Sequence, residues 1–117
     1  MDIEKTVAQF VKEQTGLETY LTVPNNPPNV FLVVDLISTS ANNQFMSIYS
    51  LDIDVWGADE NDRINTHENA MKVVSSIPAL ESIENIFNPR FLNLYRAVDA
   101  DTGRVRYVVQ LECSVCE

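Results

Sequence analysis

The chain has 117 residues, 45% hydrophobic and 21% charged, with 8 basic against 17 acidic side chains and a formal charge of −9. Such a length and composition make one folded domain with an adequate core and exclude wholesale disorder. The charge argues against a phosphate-neutralising nucleic-acid binder, because the few Lys and Arg are scattered rather than gathered into a stripe.

Residues Asp2 to Gln14 place Ile3, Val7, Phe10, Val11 and Gln14 at helical spacing, and Gly16 supplies a stop. Asp2 and Glu4 stand where the positive end of the helix dipole favours acid. This opening is acidic and amphipathic rather than basic then apolar, so it does not read as a secretion signal. No run of about 18 apolar residues follows that would span a membrane. Glu18 to Val23 predicts a short strand ended by Pro24, and Asn25-Asn26-Pro27-Pro28-Asn29 a turn or polyproline stretch outside any ladder. Val30 to Ile37 is apolar on both faces, the mark of a central strand, with Asp35 the exception. Ser38 to Asn43 reads as a polar hairpin loop.

Phe45 to Trp56 is the most informative stretch. Phe45, Ser47, Tyr49, Leu51, Ile53 and Val55 take one face of an extended strand, and Met46, Ile48, Ser50, Asp52, Asp54 and Trp56 the other. Its length implies roughly 40 Å of strand, about twice the usual span. One face is apolar; the other begins apolar and ends acidic with Trp56 at its tip. The loop Gly57 to Arg63 carries three acids but lacks the calcium-loop pattern. It reads instead as helix-start chemistry, with Asn61 or Asp62 the cap. Ile64, His67, Met71, Val74 and Ile77 then predict a second amphipathic helix that buries His67 and stops before Pro78. Pro78 to Phe87 is a short helical or turn segment closed by Asn88-Pro89. Arg90 to Val98 and Arg104 to Val115 form a hairpin, with Gly103 late in the five-residue loop from Asp99. Val105, Tyr107, Val109, Leu111, Cys113 and Val115 share one face of its second strand; Arg104, Arg106, Gln110 and Glu112 share the other.

The order is therefore α-β-β-β-α-β-β. It predicts a single α+β domain: a largely antiparallel sheet of about five strands with two helices on one face.

Reactive chemistry finds little support in these residues. The three glycines, Gly16, Gly57 and Gly103, lie far apart and make no phosphate loop. His67 is the lone histidine, and no serine sits in a nucleophile elbow. Cys113 and Cys116 match C-x-x-C in spacing but close a strand rather than open a helix, so neither redox nor metal chemistry is implied. Asp52 and Asp54, about 7 Å apart on one strand face, have the spacing of a carboxylate pair. Beside Trp56 they read better as a polar and aromatic contact surface than as a catalytic dyad. No enzyme and no cofactor are predicted.

The helical start, the strand ending in D-I-D-V-W-G before an acidic loop and helix, and the Y-R-A-V-D-A-D-T-G-R-V-R-Y-V-V-Q-L-E hairpin resemble the tail terminator and tail-completion proteins of long-tailed bacteriophages and prophages. The likeness spans residues 2 to 115 and is nearest over Ser50 to Gly57 and Tyr95 to Glu112. It implies a non-enzymatic virion subunit, assembled in the bacterial host cytoplasm and located at the tail–head junction. Such subunits form a homo-oligomeric, hexameric ring that caps the tail tube, ends its polymerisation and offers the head-joining surface. The implied partners are the tail-tube protein and a head-completion or connector protein, with no sequence-specific nucleic acid and no membrane. Ring closure needs one patch to meet a different patch on a neighbour. The expected patches lie at the far ends of the two long strands: Asp52, Asp54 and Trp56 at one, Tyr95, Arg104 and Arg106 near the other, with an arginine reaching an acid of the next subunit. The alternative is a small intracellular binding module, monomeric or dimeric, that uses its sheet face for a ligand or a protein partner and has an apolar pocket among its strands.

Overall fold

The computed structural model describes residues 1–41 and 45–116. Helix α1, Ile3–Thr15, starts where the Asp2 carboxylate accepts from the Lys5 N–H, and ends at Gly16, whose φ of 73° and N–H to the Lys12 carbonyl make a left-handed cap. Strands follow as β1 (Thr19–Tyr20), β2 (Phe31–Ala41) and β3 (Met46–Trp56). A 3-10 turn at Glu60–Asp62 leads into helix α2, Arg63–Ser76, and a second at Ile77–Ser82 leads to strands β4 (Ile86–Val98) and β5 (Val105–Cys116). Among the described residues the strands form one sheet in the order β1-β2-β3-β5-β4. Strand β1 runs parallel to β2, and the other described pairs are antiparallel. The α+β architecture expected from the element order is present.

Period-two alternation decides which side carries the helices. Leu51, Ile53 and Val55 of β3, Leu32 and Val34 of β2, and Val109, Leu111, Cys113 and Val115 of β5 pack with Ile3, Val7, Phe10 and Val11 of α1 and Ala70 and Val73 of α2 in one buried cluster. Helices cover that face of the sheet and leave the other without them.

Several local expectations are corrected. Ser38 to Ala41 is strand rather than loop, because Ser38, Thr39, Ser40 and Ala41 pair with Ser50, Tyr49, Ile48 and Ser47 across a bulge at Ile37; Asn42 and Asn43 lie outside the described residues. The strand expected over Glu18 to Val23 shrinks to Thr19 and Tyr20, opposite Leu32 and Val33. Strand β4 begins before Asn88-Pro89, which the ladder tolerates at an edge with a register shift between Phe87 and Arg90. In α2 the buried side is Thr66, Asn69, Ala70, Val73 and Ser76, whereas Ile64 is 73% exposed and Met71 and His67 face outward. His67 is thus not buried; its ring meets Tyr107 edge-on at 5.3 Å. Asp62 stands at the N-cap of α2, one of the two positions expected, but makes no side-chain cap bond to the helix; its carboxylate accepts from the Ala58 N–H, and Asp59 caps the preceding 3-10 turn by accepting from the Asn61 N–H.

Candidate functional site

On the helix-free face, strand register lines residues up in rows. Phe31, Trp56, Arg106 and Ala97 make one row; Val33, Asp54, Val108 and Tyr95 the next; Asp35, Asp52, Gln110 and Asn93 the third. The two sequence stretches that drew attention, the acidic strand end and the hairpin, are therefore adjacent strands of one surface.

The first row is a small second core. Trp56 stacks on Phe31 with ring centroids 5.7 Å apart and planes at 4°, and Tyr20 meets Phe31 edge-on at 6.0 Å. Arg104 lies over Phe31 and Arg106 over Trp56, each 5.1 Å from the ring centroid, so cation–π attraction helps to roof the aromatics. The Arg104 guanidinium also donates to three backbone carbonyls: Gly57 at 2.9 Å, Pro28 at 2.7 Å and Asn29 at 2.9 Å. It thereby fixes the Pro-rich stretch before β2 against the end of β3. Gly57 is obligatory at that corner, since a Cβ there would collide with Thr66 Oγ1 and stand 2.7 Å from Val105 Cγ1.

Behind the aromatics lies acid. Burial pushes the Asp54 carboxyl up to about 6, against the opposing pull of Arg106, whose Nη1 is 3.5 Å away. Asp52 is also raised, chiefly by burial, although Gln110 donates to it at 3.3 Å and thereby lowers it. Asp35 stands directly across the strand pair from Asp52, a like-charge pairing that sheets disfavour. Trp56 Nε1 and Arg106 Nε are buried without a hydrogen-bond partner. Among the described residues, no group of three or more His, Cys, Asp or Glu is placed to hold a metal ion.

No family model and no curated protein matches the chain.

The six residues singled out from the sequence share one surface rather than two ends. Trp56 is the cross-strand neighbour of Arg106, and Asp54 and Tyr95 flank Val108. The expected division into a Trp56 end and an arginine end is thus corrected: antiparallel pairing folds the start of β5 onto the end of β3. Arg104 is committed to carbonyls of its own chain, and Arg106 to Trp56 and Asp54. The cysteines fall on opposite faces of β5, Cys113 buried with its thiol pushed up to about 11 by burial.

Sequence reading missed Phe31 as the stacking partner of Trp56, and it missed the exposure of β4. Phe87, Phe91, Leu92, Tyr95 and Val98 all lie exposed on that edge strand. A signal was present: Ile86 to Val98 holds Arg90 and Arg96 but no acid, in a chain of charge −9. A groove of about 530 Å³ runs beside α1, lined by Asp2, Lys5, Gln9, Phe10 and Ile83. It lies along the helix, not among the strands.

Proposed function

We propose that the protein is a self-assembling structural subunit of the phage tail-terminator type, whose ring closes the tail tube and receives the head. The observation that carries this reading is the placement of Ser50–Gly57 and Tyr95–Glu112. These stretches, where the likeness to tail terminators is nearest, form neighbouring strands β3, β5 and β4 of one surface. That surface joins an acidic row to an apolar, acid-free edge strand, a combination suited to repeated contacts between copies. A net charge of −9 also suits a ring traversed by DNA, because an acidic wall does not hold phosphate.

Solution mass measured by light scattering over a range of concentrations tests the reading, starting from a chain of 13.2 kDa. A species near six subunits is expected. A monomer at every concentration overturns self-assembly and favours a module that binds a single partner.

A further inference from the structure

The sheet ends in two edges that its own strands leave bare. On one side β1 pairs only with Leu32 and Val33, so β2 from Val34 to Ala41 has no outer strand among the described residues. On the other side β4 is the last strand. Proteins blunt such edges with proline, bulges or charge, and the first half of β4 is blunted in this way. Pro89 sits there, with register breaks between Phe87 and Arg90 and between Phe91 and Asn93. From Asn93 to Val98 the pairing with β5 is regular, and Tyr95 and Val98 are 42% and 67% exposed. On β2 the Leu36 N–H donates to the Glu4 carboxylate of α1 at 2.9 Å, so the open stretch is Ile37 to Ala41, where Ile37 is 54% exposed and Ser38 to Ala41 are exposed as well.

Direction and charge both suit a second copy of the chain as occupant. Strand β2 is antiparallel to β3, β3 to β5 and β5 to β4, so β2 and β4 run in opposite senses. A copy displaced sideways, and shifted several residues along the strands so that β4 clears β1, would set its β2 antiparallel to β4 with the helices of both copies on the same side. Strand β4 carries Arg90 and Arg96 and no acid; β2 carries Asp35 and no base. Arg90 and Arg96 reach Glu112 and Glu60 in partly exposed ion pairs, and pairs open to solvent hold such side chains only weakly. For a chain this acidic, β4 is a surface that a second copy can approach without repulsion.

We infer that Asn93–Val98 of one copy pairs antiparallel with Ile37–Ala41 of the next, so that the sheet runs on from subunit to subunit. The contact is heterologous, one patch meeting a different patch, and each copy keeps a free edge for a further neighbour. The inference rests on the self-assembly reading and names the surfaces that carry it.

Two variants test it. Y95E with V98E places acid on the β4 edge, and I37E with T39E places acid on the β2 edge. All four positions are exposed, so the fold does not depend on them. Sedimentation velocity should show each variant alone as a monomer, with assembly weakened about tenfold or more. Mixed, the two should form a one-to-one pair, because each retains the edge that the other lacks. If the wild type assembles and either variant alone assembles equally well, or the mixture stays monomeric, edge pairing is overturned while self-assembly stands. A wild type that is monomeric throughout removes both.

Discussion

Arg106 lies directly across the β3–β5 pair from Trp56, its guanidinium carbon 5.1 Å from the centre of the indole. The contact closes one end of the aromatic stack, and the same guanidinium pairs with Asp54 at 3.5 Å. Trp56 is the chain's single tryptophan and is 7% exposed, so its fluorescence reports this corner alone. Arg106→Ala should shift the emission to the red and cost about 1–2 kcal/mol in denaturant unfolding, the value of a largely desolvated cation–π contact. Emission and stability both unchanged would mean that Arg106 roofs nothing.

Asp54 gives the fold an acid-side dependence. Its folded pKa of about 6 lies above the ordinary 3.8, so the unfolded chain ionises more readily than the folded one. The resulting destabilisation is fully present above the folded value and fades as pH falls through 6 towards 4. Asp52 acts in the same direction. Melting temperature should therefore rise between pH 7 and pH 5, with Asp54 contributing at most about 2 kcal/mol. Asp54→Asn should flatten that rise. An equally steep rise in the variant would assign it to other groups.

Gly57 has no room for a side chain between Thr66 and Val105. Gly57→Ala should destabilise by about 1–3 kcal/mol, as overpacking does. Adding Thr66→Ala should recover part of the loss, because it removes the nearest obstacle. A double variant no more stable than Gly57→Ala would place the strain elsewhere.

Arg104 holds three backbone carbonyls, those of Gly57, Pro28 and Asn29. Arg104→Ala should cost about 2 kcal/mol, since bonds from charged donors are the stronger ones. Limited proteolysis should then cut within residues 24–29 faster than in the wild type. Unchanged cleavage would show that Pro27 and Pro28 stiffen the stretch unaided.

The contrast between the helices shows how far the sequence is legible. Helix α1 has a single apolar stripe, Ile3, Val7, Phe10 and Val11, and that stripe is the buried one. Helix α2 offers two. The more apolar, through Ile64, Met71 and Val74, leaves Ile64 and Met71 in solvent, while Thr66, Asn69, Ala70 and Val73 go inward. Small side chains let α2 approach the sheet and α1 closely, and a hydrophobicity pattern does not register that geometry.

Local chemistry in the sequence determined the element order, the Gly16 and Gly103 turns, and the inward face of β3 and β5. These follow from side-chain periodicity and from backbone preferences of single residues. Tertiary structure alone decided that Ser38 to Ala41 would be strand, that Trp56 would face Arg106 and stack on Phe31, and that Asp35 would oppose Asp52. Each depends on register between strands distant in sequence. A shift of one residue would exchange every partner and face, and only the packed sheet fixes it.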